Sequence, residues 1–235
     1  MPRGLFISGT DTDVGKTHIA CLIASALKTR FSRVGVMKPA ESGCLGENGL
    51  LMPRDALRLK EAAGCPLPLD VICPYRLPLP LAPAEAAQRA GTTIDIAHIE
   101  RCCRAICESS DAVLIEGAGG LLVPLSGRYL FADLVKYLGF PLLIVARAGL
   151  GTVNHSLLTI EAARSRGIEI LGVVMNESTA PPENDPSRAG NVKLLERLSA
   201  VPVWGPVPFQ QEGTWSHENG LIRPVLDPIL EVAFA

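Results

Sequence analysis

The stretch Phe6–His18, FISGTDTDVGKTH, combines glycines, hydroxyl side chains and a lysine in a pattern that can hold phosphate groups. Glycine lets a backbone approach a ligand closely, and the N–H groups of residues 13–17 would converge where the following helix carries its partial positive charge. Lys16 would reach the β- and γ-phosphates of a nucleotide, and the Thr17 hydroxyl would be one ligand of Mg²⁺. The stretch therefore predicts a phosphate-binding loop that begins a helix.

This loop departs from the standard pattern G-x-x-x-x-G-K-T, which requires glycine at position 10. The chain has Thr10, and its glycine lies one residue earlier at Gly9. The loop is therefore one residue longer than the standard one, which indicates a particular subgroup of P-loop proteins. The alternative, a glycine turn with an incidental lysine, is disfavoured by the apolar run before the loop and the helical pattern after it.

Acidic residues are expected near the loop, because a nucleotide triphosphate carries about four negative charges and calls for a divalent cation. The candidates are Asp55 and Glu116. Glu116 closes the run AVLIE directly before GAGG, at the expected carboxyl end of a strand, whereas Asp55 could equally be the N-cap of a helix. Lys38 also follows an apolar run, and the tight loop expected from Pro39 and Gly43 favours a lysine directed into the ligand crevice over a solvated one.

The elements that must position these residues are short apolar runs separated by longer helical patterns such as 17–30 and 94–110. The runs are continuous rather than alternating, as in strands covered on both faces. They are LFISG (5–9), VGVMKPA (34–40), AVLIEGAGG (112–120), PLLIVARAGLG (141–151), ILGVVMNES (170–178) and VPVWGPVP (201–208). The sequence therefore predicts a doubly wound α/β fold with a mainly parallel sheet and ligands at the carboxyl ends of its strands.

Composition indicates one globular domain over residues 1–235, with proline-rich, lid-like loops at about 64–92 and 177–191. With 22 Lys+Arg against 24 Asp+Glu and no basic run, the charge gives no reason to expect nucleic acid. The sequence contains no apolar segment long enough for a signal peptide or a membrane span, so we expect a cytoplasmic protein. The seven scattered cysteines are expected to be reduced thiols of the core rather than a metal site.

Six motifs together resemble the dethiobiotin synthetase family in their order and approximate spacing. They are GTDTDVGKT, KPAESG, RDA, EGAGGLLVPL, LGTVNH and VMNE, between Phe6 and about Pro208. The resemblance implies a homodimeric P-loop NTPase fold. It also implies an enzyme that converts 7,8-diaminopelargonate, CO₂ and MgATP to dethiobiotin, ADP and phosphate in biotin biosynthesis.

The resemblance also implies roles for individual residues. Lys16 and Lys38 would flank the transferred phosphoryl group and the carbamate, while Thr12 and Ser42 would hydrogen-bond the substrate head. Thr17, Asp55 and Glu116 would hold Mg²⁺, and Asn176 would recognise adenine, although alone it could equally cap a turn. The residues implied in ATP binding are Asp13, Val14, Gly15, Lys16, Thr17, His18, Glu116, Asn176 and Pro208.

The segment AGLGTVNHS, residues 148–156, predicts an anion site, because the N–H groups from Gly151 to Asn154 would face outward at a helix N-terminus. The substrate carries a carboxylate at the end of its tail, so Gly151, Thr152 and Asn154 are the candidates for binding it. The resemblance implies that the neighbouring subunit supplies this element, which makes each active site composite.

Three positions depart from the family pattern. Asp13 stands where glutamate is frequent, Glu41 adds a negative charge beside Ser42, and no aromatic residue lies around Asn191 to contact the substrate tail. Each departure affects a residue expected near the phosphates or the substrate.

Three other classes of nucleotide-binding protein are alternatives to this interpretation. Partition-type P-loop ATPases carry a signature lysine where this chain has Asp11, which argues against that class. Amidating synthases of corrin biosynthesis need a glutaminase domain, and fewer than 30 residues follow VPVWGPVP. A non-catalytic nucleotide-binding module would not explain why Lys38 and Glu116 both lie at predicted strand ends.

Overall fold

A central parallel sheet organises the protein in a computed structural model that describes residues 3–47, 50–180, 185, 187–210 and 219–235. Its six strands lie in the order β12-β11-β10-β1-β7-β2, and every neighbouring pair is parallel. They are β1 (Arg3–Gly9), β2 (Val34–Met37), β7 (Ala112–Gly120), β10 (Leu142–Arg147), β11 (Ile170–Asn176) and β12 (Val203–Val207). All six predicted runs are therefore confirmed as strands, and the predicted doubly wound fold is confirmed with them.

Shorter strands pair outside this sheet. They are β3 (Ala40–Ser42) with β6 (Tyr75–Leu77), β4 (Leu45–Glu47) with β5 (Leu50–Met52), and β8 (Pro124–Ser126) with β9 (Tyr129–Leu130). Strand β3 follows β2 in the chain, pairs in parallel with β6, and lies next to the expected ligand crevice.

Helices cover both faces of the central sheet. They are α1 (Lys16–Arg30), α2 (Arg54–Ala63), α3 (Leu69–Ile72), α4 (Pro83–Arg89), α5 (Ile96–Ser109), α6 (Phe131–Leu138), α7 (Thr152–Arg164), α8 (Ser187–Ser199) and α9 (Arg223–Phe234). Leu5 and Ile7 of β1 pack in one core with α1, α2 and α9, whereas Phe6 packs in a second core with α5 to α8. The two-residue repeat of a strand thus places each continuous apolar run in both cores.

The position of β1 explains where a ligand can bind. The chain leaves β1 toward one edge of the sheet, through β2 and β7, and later builds β10 to β12 on its other side. The loop after β1 therefore lies at the point where the strand order changes direction, which is where open α/β sheets leave a crevice.

Two predicted boundaries differ from the structure. Strand β7 continues past Glu116 to Gly120, which pairs with Gly9, so the prediction that Glu116 ends its strand is wrong; it is the central residue of β7. Asp55 is not the N-cap of α2, which is Pro53; it lies in the first helical turn.

The first proline-rich segment, predicted as a loop at about 64–92, contains α3, β6 and α4. Helix α4 tolerates its proline because Pro83 is its first residue, where a missing N–H costs nothing. Part of the second segment, residues 181–184 and 186, falls outside the described residues. Lid motion in either segment remains a prediction.

The cysteines agree with the expectation of reduced thiols in the core. All seven cysteines are free, and every one except Cys107 is buried. Across the described ranges, no helix is both long enough and apolar enough to cross a membrane.

Candidate active site

A cleft of about 820 Å³ opens at the carboxyl ends of the strands. It is lined by the loop after β1 and by residues that follow or lie within β2, β7 and β11. Eleven residues predicted for the site line it, namely Thr12, Asp13, Gly15, Lys16, Thr17, His18, Lys38, Ser42, Asp55, Glu116 and Asn176. The tertiary structure thus brings together residues that are up to 164 positions apart, from Thr12 to Asn176.

The phosphate-binding loop ends at an open helix N-terminus. Helix α1 begins at Lys16, and its N-cap Gly15 is left-handed at φ 93° with no side chain capping the helix. The uncapped N–H groups and the helix dipole suit an anion at this point. Lys16 is buried, and its Nζ donates to the carbonyl oxygen of Asp11 at 2.8 Å, so the ammonium lies folded back over the loop.

A buried cluster of charges lies beside the loop. Lys38 Nζ donates to Glu116 Oε1 at 2.5 Å and to Asp55 Oδ2 at 3.0 Å, and Thr17 Oγ1 donates to the same Glu116 oxygen at 2.8 Å. Lys38 is 3% exposed and Glu116 is fully buried. Buried charges are tolerated when they are paired, so this cluster holds its members in a defined arrangement.

The pKa values of Lys38 in the cluster and Lys16 in the loop shift in opposite directions. Burial alone would lower the pKa of the Lys38 ammonium, but the carboxylates of Glu116 and Asp55 outweigh burial and raise that pKa above its ordinary value. Burial would raise the pKa of Asp55, yet the Lys38 ammonium keeps it below its ordinary value. For Lys16, burial and the nearby Lys38 lower the pKa to about 8. A bound phosphate would favour the charged form of Lys16.

Oxygen atoms available to a divalent cation converge in the same cluster. Glu116 Oε2 is buried and has no hydrogen-bond partner among the described residues, whereas its Oε1 is already shared by Thr17 and Lys38. Carboxylate and hydroxyl oxygens are the ligands that Mg²⁺ prefers. Thr17, Asp55 and Glu116 therefore fit the predicted magnesium site.

Asn176 contacts the phosphate-binding loop from the end of β11. It is the last residue of β11, it is buried, and its Nδ2 donates to the carbonyl oxygen of Val14 at 3.0 Å. Its Oδ1 is buried without a hydrogen-bond partner within the described ranges. An unpaired carboxamide oxygen at the cleft leaves an acceptor that the exocyclic amine of adenine could use.

The predicted tail site lies elsewhere. Within the part of the chain that the structure describes, Gly151, Thr152 and Asn154 do not line the cleft. Gly151 is the N-cap of α7 at φ 90°, with no side chain capping it, and both Gly151 and Asn154 are exposed. Asn191 is buried and its Nδ2 donates to the carbonyl oxygens of Ala148 and Gly149, so it fastens this turn rather than facing a substrate tail.

Comparison with known proteins gives the family. The chain is 50% identical over 198 residues to an ATP-dependent dethiobiotin synthetase of Anaeromyxobacter dehalogenans, covering 84% of this chain and 86% of that protein. It is 38% identical over 219 residues to the synthetase of Thermodesulfovibrio yellowstonii, covering 90% and 91% of the two chains.

The chain belongs to the ATP-dependent dethiobiotin synthetase family. A relative from Bacillus licheniformis, also described as this synthetase, is 36% identical over 225 residues and covers 96% of this chain and 94% of its own. A broader family described as an AAA domain matches residues 3–217.

Solved structures of other proteins share the fold. The cell division ATPase MinD of Pyrococcus furiosus aligns with a TM-score of 0.58 at 14% identity, covering 99% of this chain and 100% of that one. A ParA family ATPase of Chlorobium tepidum aligns with a TM-score of 0.55 at 16% identity, covering 99% and 93%. Identity this low shows the P-loop ATPase fold alone.

Sequence reasoning missed several residues of the cleft of this family member. They are Arg58, Pro80, Leu81, Ala82, Pro83, Ala118, Gly119, Val123, Glu177, Ser178, Phe209 and Gln210. The prolines at residues 80–83 predicted a loop but gave no indication that it lines the cleft. Phe209 and Gln210 directly follow Pro208, which was predicted for the site. Pro208 and Val14 do not line the cleft themselves, although the carbonyl of Val14 binds Asn176.

We predict that Gly15→Ala weakens nucleotide binding by at least about tenfold. The backbone of Gly15 is left-handed, and Asn176 lies too close to it to leave room for a Cβ. A Cβ at this position would lie 2.1 Å from Asn176 Nδ2, which must move and release Val14. Affinity for an ATP analogue can be measured by calorimetry.

Gly91→Ala is the matched control for that substitution, since Gly91 has a similar φ of 67° and no atom within 4 Å of an added Cβ. It should retain the parental affinity. Equal affinities for the two variants would show that the contact between Gly15 and Asn176 does not shape the nucleotide site.

Proposed function

We propose that the protein is an ATP-dependent dethiobiotin synthetase, which forms dethiobiotin, ADP and phosphate from 7,8-diaminopelargonate, CO₂ and ATP. Family membership supports the activity. The structural observation that supports this activity for this chain is the cluster of Lys38, Glu116 and Asp55, which lies in the same cleft as Lys16.

The reaction explains why the site consists of cations and hydroxyls rather than a nucleophile. One substrate amine adds to CO₂ and loses a proton to give a carbamate. A carbamate oxygen then attacks the γ-phosphorus, and ADP leaves. The second amine attacks the carbonyl carbon of this mixed anhydride, phosphate leaves, and the cyclic urea closes.

The step with ATP brings two anions together, the carbamate and the triphosphate. Positioning and electrostatic stabilisation therefore account for most of the catalysis. Lys16 stabilises charge on the transferred phosphoryl group, and Lys38 neutralises the carbamate. Thr12 and Ser42 line the cleft as hydrogen-bonding partners for the substrate head. Mg²⁺ held by Thr17, Asp55 and Glu116 would offset the phosphate charge.

We propose further that the active protein is a homodimer with composite sites. The uncapped N-terminus of α7 is a suitable site for the tail carboxylate, yet it is not part of the cleft that contains Lys16. Exposed apolar side chains at Leu150 and Leu158, 85% and 56% exposed, support an interface beside α7. A second subunit related by a two-fold axis would bring its α7 to this cleft.

A partition-type ATPase switch is the alternative function, because the MinD and ParA structures have the same fold. Asp11 argues against it, because it stands where that class carries a signature lysine. Its carboxylate accepts from the N–H of Thr12 at 2.8 Å and faces Arg147 at 3.7 Å, while its carbonyl binds Lys16.

ATP hydrolysis tests the proposal. We predict that it is at least about tenfold slower when either diaminopelargonate or bicarbonate is omitted, because the carbamate that accepts the phosphoryl group then does not form. Phosphate release and dethiobiotin, identified by mass spectrometry, should appear in equal amounts. Rapid hydrolysis without substrate, and no dethiobiotin, would favour the ATPase switch.

A further inference from the structure

Glu41 has an unusual environment for a carboxylate beside a substrate cleft. It belongs to β3, is 7% exposed, and lines the cleft between Lys38 and Ser42. Both of its carboxylate oxygens accept backbone hydrogen bonds from the first turn of α2. Oε1 accepts from the N–H of Asp55 at 3.0 Å, and Oε2 from the N–H of Ala56 at 2.9 Å.

These contacts replace a local helix cap. The N-cap of α2 is Pro53, which makes no side-chain cap hydrogen bond, so the first N–H groups of the helix need another acceptor. Glu41 supplies it from 14 residues earlier in the chain. These hydrogen bonds hold the start of α2 against β3, which in turn pairs with β6.

The same contacts hold Asp55 from both ends. Its N–H binds Glu41, and its carboxylate binds Lys38 Nζ at 3.0 Å. Of the other two oxygen ligands, Glu116 lies on β7 of the central sheet, and Thr17 lies in the first turn of α1 and donates to Glu116. The position of the third ligand, Asp55, depends on where α2 begins, because Asp55 lies in the first turn of that helix.

We infer that Glu41 is a positioning residue for Asp55, fixing the start of α2 so that the Asp55 carboxylate faces Glu116 across Lys38. The inference rests on the proposed function, in which Asp55 is a ligand of Mg²⁺. Groups that orient a metal ligand commonly change metal affinity when removed.

Two other roles for Glu41 fit the structure less well. Direct binding of a substrate amine would have to use the second acceptor position of an oxygen that already accepts a backbone N–H group, on a side chain that is only 7% exposed. A purely stabilising cap would not need a charge, because serine or asparagine caps a helix without burying a carboxylate beside Asp55.

The test is the binding of a non-hydrolysable ATP analogue, measured by calorimetry with and without Mg²⁺. For Glu41→Ala we expect the gain in affinity that Mg²⁺ confers to fall by about tenfold, while affinity without Mg²⁺ changes by less than about twofold. Glu41→Gln, which keeps the side-chain size and one acceptor oxygen, should lose about threefold.

Asp95→Ala is the matched control, because Asp95 caps α5 by accepting from the N–H of Ala97 at 2.9 Å and does not line the cleft. It should lower the melting temperature as a lost cap does and leave the effect of Mg²⁺ unchanged. A Glu41→Ala protein that loses thermal stability but keeps the parental gain from Mg²⁺ would overturn the inference. If Glu41→Ala does not fold, the same comparison is made with Glu41→Gln, where an unchanged gain from Mg²⁺ would overturn it.

Dethiobiotin formation by the parent protein tests the proposed function separately. A parent that makes dethiobiotin while both Glu41 variants retain their response to Mg²⁺ refutes the positioning role only. A parent whose nucleotide affinity does not respond to Mg²⁺ refutes that role together with the metal site.

Discussion

Replacing Lys38 with alanine is expected to lower kcat/KM for diaminopelargonate by about 10²-fold or more, equivalent to about 3 kcal/mol of transition-state stabilisation. Two effects combine in this loss. The carbamate would lose its neutralising cation, and the fully buried Glu116 would lose its closest charged partner. Lys16→Ala should cause a loss of the same size, because Lys16 begins α1 at the expected position of the β- and γ-phosphates.

The two variants should differ in stability. Lys38→Ala leaves a buried carboxylate without its ammonium, so its melting temperature should fall without ligand and recover in part with MgATP. Among the described residues, Lys16 donates to a backbone carbonyl and to no carboxylate, so Lys16→Ala should melt close to the parent. Steady-state kinetics with MgATP, together with thermal unfolding, separate the two effects.

Lys60→Ala is the control for both lysines. Lys60 lies on α2, donates to the carbonyl oxygen of Leu67, and does not line the cleft. It should retain parental kcat/KM within about threefold. If Lys38→Ala also turns over like the parent, Lys38 does not act on the carbamate and its pairing with Glu116 is structural.

Mixing two inactive variants is expected to restore about a quarter of parental activity, if each active site is shared by two subunits. Gly151→Asp places a repelling charge at the tail site on α7, and Lys16→Ala disables the phosphate site. Refolded together in equal amounts, they should form heterodimers as about half of all dimers. Each heterodimer then has one site with both lesions and one site with neither.

Gly167→Asp controls for the backbone of Gly151→Asp. Gly167 also has a positive φ of 67°, is exposed, and has open space around an added Cβ. As a homodimer it should be active. No recovery in the mixture, when tagged pull-down verifies the heterodimers, would mean that the tail site belongs to the same chain as Lys16.

Much of the site could be predicted because its chemistry is encoded locally. The sequence around Lys16 and Thr17 predicts a strand, a glycine-rich turn and a helix, and these three adjacent elements suffice to build the phosphate loop. Lys38 and Asn176 also follow or end predicted strands, and both line the cleft. Parallel strands bring such residues to the same edge, so their proximity follows from the fold class.

Partners separated by long stretches of chain could not be predicted in the same way. Nothing near Glu41 indicates that its carboxylate caps α2, since α2 begins 13 residues later at Arg54 and its own N-cap is Pro53. Likewise, the local sequence predicts a strand end at Glu116, and only the pairing of Gly120 with Gly9 shows that β7 continues beyond it.

By itself, the sequence determined the six strands, the phosphate loop and the charged residues of the cleft, because hydrophobic runs, turns and helix starts are properties of neighbouring residues. Only the tertiary structure decided that Lys38 lies between Asp55 and Glu116, that Glu41 faces the start of α2, and that the N-terminus of α7 lies outside the cleft. These arrangements depend on strand order, register and crossover packing. Such long-range contacts form between distant parts of the chain, and a local pattern does not specify them.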